Sequence, residues 1–252
     1  MMNLKDKVVI ISGARQGMGL VIAKRLKKEG AHLALNDRIL DDKLKEICQE
    51  LNAFAIPGDL SDLKVIPSIV KSVVEKYGKI DAVVAQHAYM NMGKFEEQGS
   101  EEWWKVVNTN LLGTYVLIRE SIEHLKKSKG KVVVTSSYWG LTGWPEASAY
   151  ASSKAGLISL VKSLGRELAP LGINVNGIAP GVINTPQLEV DAKNLNMPLE
   201  EVLNMYAKSI PLGRVGISDE IASVVAFLLD PEQNAMVGQI VNANGGEIRS
   251  RA

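Results

Sequence analysis

Tyr150 and Lys154 stand four residues apart in a stretch with helical spacing, so their side chains share one face. Of the six tyrosines in the chain, only this one has a lysine four residues on. A phenol ordinarily ionises near pH 10, and a neighbouring ammonium favours the phenolate. The chemistry open to such a pair is proton transfer, although a Tyr and a Lys so spaced are by themselves as easily a surface contact. Two further residues strengthen the reading. Ser137 lies thirteen residues before Tyr150, just past the β-branched run Val132-Val133-Val134-Thr135. The strand ends of a parallel sheet are where such folds hold ligands. Asn110 sits with Gly113 inside an otherwise helical stretch, and both are poor mid-helix residues that ask for a local reason.

A second set of residues could hold a nucleotide. Gly13, Gly17 and Gly19 are spaced G-x-x-x-G-x-G, after the apolar run Val8–Ile11 and before the helical stretch Leu20–Lys28. Glycines there let the backbone turn tightly and approach a pyrophosphate held at a helix N-terminus. A plain structural turn would use them too. No G-K-[ST] follows, so the turn is not a P-loop. Asp37 comes 24 residues after Gly13, at the end of the second apolar run, where a carboxylate can accept hydrogen bonds from adenosine ribose hydroxyls. It would repel a 2′-phosphate by up to about 4 kcal/mol near a surface, which favours NAD over NADP. Arg15 and Arg38 stand nearby and could instead bind such a phosphate; Asp37 could also serve as a helix cap. Asp59 and Leu60 end the third run at the same edge, to meet the adenine or to cap the helix begun at Ser61-Asp62.

The elements that position these residues alternate regularly. Strands are expected at Val8–Ile11, Ala31–Leu35, Ala53–Ile56, Ala82–Ala85, Val132–Thr135, Ile173–Asn176 and Gln239–Asn242. Helices are expected at Leu20–Lys28, Leu44–Leu51, Val65–Tyr77, Glu101–Leu125, Ala149–Leu168 and Ile221–Leu229. Strict alternation predicts an α/β fold, a parallel sheet of about seven strands with helices on both faces. The stretch 183–214 breaks the rhythm with Pro186, Pro198 and Pro211, and reads as a substrate lid or an exposed insertion.

The composition narrows the function classes. The chain has 252 residues, 46% hydrophobic and 23% charged, as expected for one globular domain spanning 1–252. A net charge of +1 gives no sign of a nucleic-acid or membrane partner. The single cysteine, Cys48, allows no intrachain disulfide. With an N-terminus too polar for a signal peptide and no apolar run of membrane length, a cytoplasmic location is expected. The three histidines are scattered and form no metal-binding pattern. No G-x-S-x-G elbow suggests a hydrolase.

Together these motifs make the chain resemble the classical short-chain dehydrogenase/reductase (SDR) family over nearly its whole length. The resemblance rests on the glycine turn, on Asn110, on Ser137 with Tyr150 and Lys154, on the segment Asn176 to Thr185, which is similar to the family's N-x-x-x-P-G-x-x-x-T, and on Asn244-Gly245-Gly246. It implies a Rossmann-type doubly wound sheet, a hydride exchanged between a nicotinamide cofactor and a secondary alcohol or ketone, and a homotetramer. Tyr150 would be the acid-base group, Ser137 would orient the substrate oxygen, Lys154 would also hold the nicotinamide ribose, and Asn110 would place a relay water. Cofactor contacts are expected from Gly13, Arg15, Gln16, Gly17, Met18, Gly19, Asp37, Arg38, Asp59, Leu60, Gln86, His87, Ala88, Tyr150, Lys154, Pro180, Gly181, Ile183 and Thr185. Tyr89, Tyr138, Trp139, Trp144, Leu188, Met205 and Tyr206 would line a pocket for a small to medium, largely uncharged substrate. Trp103 and Trp104 are interface or core residues. One segment departs: where the family has N-N-A-G, this chain has Ala85-Gln86-His87-Ala88. His87 reads there as a hydrogen-bonded structural residue or as a catalytic one. The alternatives to an NAD-dependent dehydrogenase are a non-catalytic dinucleotide-binding module and an NADP-dependent ketoreductase; a nucleotide-sugar epimerase would need a further substrate domain.

Overall fold

A computed structural model describes residues 3–248; the ends of the expected 1–252 domain lie outside the described residues. In chain order the elements are β1 (Val8–Ser12), α1 (Gly17–Lys28), β2 (His32–Asn36), α2 (Asp42–Glu50), β3 (Phe54–Ala55), α3 (Ile66–Tyr77), β4 (Ala82–Ala85), α4 (Ser100–Val107), a π turn (Asn108–Leu112), α5 (Gly113–Ser128) and β5 (Lys131–Thr135). The second half continues with α6 (Trp139–Thr142), α7 (Ser148–Leu168), a 3₁₀ turn (Ala169–Leu171), β6 (Asn174–Pro180), β7 (Ile183–Asn184), α8 (Pro186–Leu195), α9 (Leu199–Ala207), β8 (Gly216–Ile217), α10 (Ser218–Leu229) and β9 (Ile240–Ala243).

Seven strands form one parallel sheet in the order β3-β2-β1-β4-β5-β6-β9. The apolar runs are continuous because each central strand is buried on both faces. Val9 and Ile11 of β1 pack into a core shared with α1, α2 and α10, whereas Val8 and Ile10 pack into the opposite core with α3, α5 and α7. The strand order reverses between β1 and β4, and an open α/β sheet leaves a crevice at such a point, beyond the carboxyl ends of its strands.

Two expectations need correction. The single helix expected over 101–125 is two helices joined by the π turn at 108–112. The N–H of Gly113 reaches back to the carbonyl of Asn108, one residue further than in an α-helix. The stretch 183–214, where prolines break the rhythm, holds two helices: Pro186 is the first residue of α8 and Pro198 caps α9, while Pro211 lies in a turn after them. Among the described residues, no helix is long and apolar enough to cross a membrane.

The π turn packs against its surroundings without slack. A methyl on Gly113 would stand 2.6 Å from the carbonyl oxygen of Leu60 and 3.3 Å from Nε2 of His87. Gly113→Ala is therefore expected to destabilise the protein by about 1–3 kcal/mol through overpacking. Gly93→Ala, where nothing lies within 4 Å, is expected to leave the melting temperature almost unchanged. Thermal denaturation of the two variants checks the contrast, and equal melting temperatures would contradict this view of the turn.

Candidate active site

The nucleotide half of the site begins where β1 ends. Gly13 has φ +66° and Gly17 has φ +55°, a region that glycine enters without strain. Space matters as much as conformation. A Cβ on Gly19 would lie 2.0 Å from the carbonyl oxygen of Gly13, and one on Gly13 would lie 2.9 Å from Cα of His87. Only glycines let the β1–α1 turn fold this tightly against both the start of α1 and the turn after β4. In front of it opens a cleft of about 350 Å³. Gly13, Arg15, Gln16, Gly17, Met18, Gly19, Asp37, Arg38, Asp59, Leu60, Gln86, His87, Ala88 and Thr185 all line it. Tyr89 lines it too; its hydroxyl donates to Glu102 at 3.2 Å and Lys105 lies over its ring. Pro180, Gly181 and Ile183 are not among the lining residues, and the Ile183 side chain is in the core. Contact from Ile183 would have to come from its backbone.

Asp37 is well placed and well held. Its carboxylate accepts from the backbone N–H of Arg15 at 3.3 Å and of Arg38 at 2.9 Å. The Arg15 guanidinium turns aside to Asp41, at 2.7 Å. Sequence reasoning missed Asp41, which also caps α2 by accepting from the N–H of Leu44. Hydrogen bonding to Leu44 and the charge of Arg15 hold its carboxyl below the usual range. A capping Asp four residues after Asp37, in reach of an Arg two after Gly13, was the available signal.

The second half of the site gathers on α7 and β5. Lys154 is buried, and its Nζ donates to the carbonyl of Thr135 at 2.8 Å. One acceptor leaves two ammonium hydrogens for other partners. Burial pushes this lysine down to about 7. Its Nζ is 5.4 Å from the centroid of the Tyr150 ring. Burial pushes the Tyr150 phenol up to about 12, against a hydrogen bond with the Ser137 hydroxyl that lowers it. Ser137, Tyr150 and Lys154 thus come together at the carboxyl edge of the sheet. Asn110 does not point at them. Its side chain accepts from the N–H of Tyr89 at 2.7 Å and donates to the Tyr89 carbonyl at 2.9 Å and to Ser153 Oγ at 3.0 Å.

An aromatic wall adjoins Tyr150. Trp139 stands edge-on to it at 5.8 Å, and Trp144 stacks on Trp139 at 5.0 Å with 8° between the planes. Tyr138, almost fully buried, lies behind them with its hydroxyl directed at Glu247, whose carboxyl burial pushes up. Glu247 was not foreseen: it follows the Asn244-Gly245-Gly246 motif and accepts from Ser209 beyond α9 at 3.3 Å. Leu188 is buried and Tyr206 lies beside Tyr138, but Met205 is 40% exposed. Trp103 donates from its ring to Ser148 at 3.2 Å, while Trp104 is 55% exposed.

His87 is closed in between β1 and the π turn. Enclosure, and then the charge of Lys154, push it down to about 4. A histidine depressed in the folded state and ordinary in the unfolded state binds fewer protons folded, so stability is present above pH 6.5 and is lost as pH falls toward 4. The loss amounts to about 3 kcal/mol at most. In denaturant titrations the stability of wild-type protein relative to His87→Gln, which does not titrate, should therefore fall by up to about 3 kcal/mol between pH 7 and pH 4. Parallel curves would show that His87 is not held neutral by the fold.

Residues 13–247 match the family model adh_short_C2, described as enoyl-(acyl carrier protein) reductase. An uncharacterized oxidoreductase of Thermotoga maritima is 35% identical over 97% of this chain and 98% of its own length. The 3-oxoacyl-[acyl-carrier-protein] reductase FabG of the same organism is 33% identical over 97% and 99%. Among solved structures, L-sorbose reductase from Gluconobacter frateurii, complexed with NADPH and L-sorbose, superposes with a TM-score of 0.95 at 25% identity, covering 99% of both chains.

Proposed function

The chain belongs to the classical short-chain dehydrogenase/reductase family, and we propose that within it this protein interconverts a secondary alcohol and a ketone, small to medium and largely uncharged, with NAD(H) as the favoured cofactor. As a family member it is an oxidoreductase working with a nicotinamide cofactor. The observation that carries the finer reading is the meeting of Ser137, Tyr150 and Lys154 at the sheet edge.

The residues fit such a cofactor. The glycine turn offers a backbone cradle that a Cβ would fill, and Lys154 has donors left over in a buried place. Bound there, the nicotinamide supplies the hydride chemistry. The chain's own task is the proton and the alignment. Tyr150 gives its phenolic proton to the carbonyl oxygen in reduction and takes it back in oxidation. Ser137 holds that oxygen beside the phenol. Lys154 holds a ribose hydroxyl, and its charge, favoured by these added acceptors, brings the phenol back down from about 12. The aromatic wall packs the substrate's apolar body, and the helices α8 and α9 form the lid over it. The acidic residues Glu189, Asp191, Glu200 and Glu201 on that lid weigh against acyl-carrier thioesters.

NAD preference rests on Asp37, held in place at the ribose end, and on Asp41, which keeps Arg15 away from any 2′-phosphate. The NADPH bound to the sorbose reductase weighs the other way. A homotetramer would cover the exposed Trp104 and Tyr115, and sedimentation velocity at about four times the chain mass checks it.

Two tests follow. In a screen of secondary alcohols, polyols, sugars and ketones read at 340 nm, turnover is expected to be faster with NAD(H) than with NADP(H). Asp37→Ala and Asp41→Ala should each narrow that gap by about tenfold. An NADP preference in the wild type would hand control to Arg38 or Arg15. With the best substrate, Tyr150→Phe should lower kcat by at least about a thousandfold while cofactor binding, followed by calorimetry, persists. Substantial retained turnover would move the acid-base role to another group.

A further inference from the structure

Ser12, the last residue of β1, accepts at Oγ from the backbone N–H groups of Gln86 at 3.1 Å and His87 at 3.3 Å. The Nε2 of His87 lies 3.1 Å from the carbonyl of Thr109, inside the π turn, and a carbonyl can only accept, so Nε2 carries the hydrogen. In the neutral ring Nδ1 then accepts, from the Ser12 hydroxyl 2.7 Å away, which is nearer than that hydroxyl's other acceptor, the Val84 carbonyl at 3.4 Å. The residue after Thr109 is Asn110, whose side chain grips the backbone of Tyr89 and Ser153 Oγ. Ser153 in turn donates to the carbonyl of Tyr150 at 2.7 Å and precedes Lys154. Polar contacts thus run from the residue before Gly13 through the imidazole to Thr109, and from its chain neighbour Asn110 on to the first turns of α7.

We propose that His87 is a positioning residue: a neutral imidazole strut that fixes the π turn against the glycine-rich turn and so holds Asn110, Tyr150 and Lys154 in register with the nucleotide cleft. The imidazole stands where the family pattern N-N-A-G has alanine, which can make neither contact. Gly113 leaves room for the ring: a Cβ there would meet its Nε2 at 3.3 Å, while one on Gly13 would meet the His87 backbone, at Cα, at 2.9 Å. With both nitrogens engaged, and with backbone and ring each set against a glycine, the imidazole has little room to shift. Fixed placement of this kind is what a proton-transfer geometry needs. The histidine itself moves no proton: its two nitrogens are occupied by a serine hydroxyl and a backbone carbonyl.

The catalytic part of this inference rests on the proposed oxidoreductase reading; the strut itself does not, and the experiment separates them. His87→Ala removes both contacts, His87→Phe keeps the bulk of the ring without its nitrogens, and His87→Gln presents a carbonyl oxygen and an N–H about where the ring nitrogens stand. Hydrogen exchange followed by mass spectrometry is expected to show residues 108–114 and the start of α7 exchanging about tenfold faster in the Ala and Phe variants, and recovering in the Gln variant. With the best substrate of the screen, kcat is expected to fall about tenfold or more in the Ala and Phe variants. The fall in kcat is expected to exceed any change in KM or in the cofactor Kd, with most of the rate recovered in the Gln variant. Unchanged exchange at 108–114 would overturn the strut. Altered exchange with kcat unchanged would overturn its positioning role and leave His87 purely structural. A wild type inactive on every substrate would count against the oxidoreductase reading, while the exchange result would still decide the strut.

Discussion

Two turns of backbone, one after β1 and one after β4, approach more closely at the head of the sheet than side chains would permit. Cα of His87 lies 2.9 Å from where a Cβ of Gly13 would be, and within the first turn the carbonyl of Gly13 lies 2.0 Å from where a Cβ of Gly19 would be. This approach sets the depth of the nucleotide cleft and the direction in which α1 leaves the sheet. It also delivers the turn after β4 to the π turn, and the π turn to α7. A parallel sheet with apolar strands buried on both faces is what makes so close a contact stable, since the strands that feed the two turns have no freedom to slide.

Burial dominates the electrostatics of the site. His87, Tyr150 and Lys154 are each shifted toward the neutral form, and desolvation is the first cause in every case. They differ in what can restore charge. Both His87 nitrogens are already engaged within the protein, so it stays neutral across the working range. Lys154 has one acceptor where it could serve three, so a partner rich in hydroxyls recovers its charge and, through it, lowers the phenol.

Much of this was legible in the sequence, for physical reasons that also explain what was not. Buried parallel strands are continuous apolar runs, so β1, β4 and β5 were found to within a residue. The glycine turn and the Ser137, Tyr150 and Lys154 set were legible because each needs particular residue types at particular spacings. The π turn was not: one extra residue leaves no periodic mark, and only the misplaced Asn110 and Gly113 hinted at it. The prolines at 186 and 198 misled because a helix start and a helix breaker use the same residue. Asp41 left a local mark as the cap of α2, but its contact with Arg15, like that of Glu247 with Tyr138, joins residues far apart in sequence.

The central claim is that hydride passes between a nicotinamide held in this cleft and a carbonyl carbon beside Tyr150. It is tested most directly by following the hydride itself. Wild-type protein incubated with reduced cofactor deuterated at the transferring carbon, and with each ketone of a broad panel, should yield an alcohol carrying that deuterium on its carbinol carbon, as read by mass spectrometry. The label should come from one face of the ring only. Cofactor that binds but delivers no deuterium to any product, or product whose new hydrogen comes from solvent, would contradict the account.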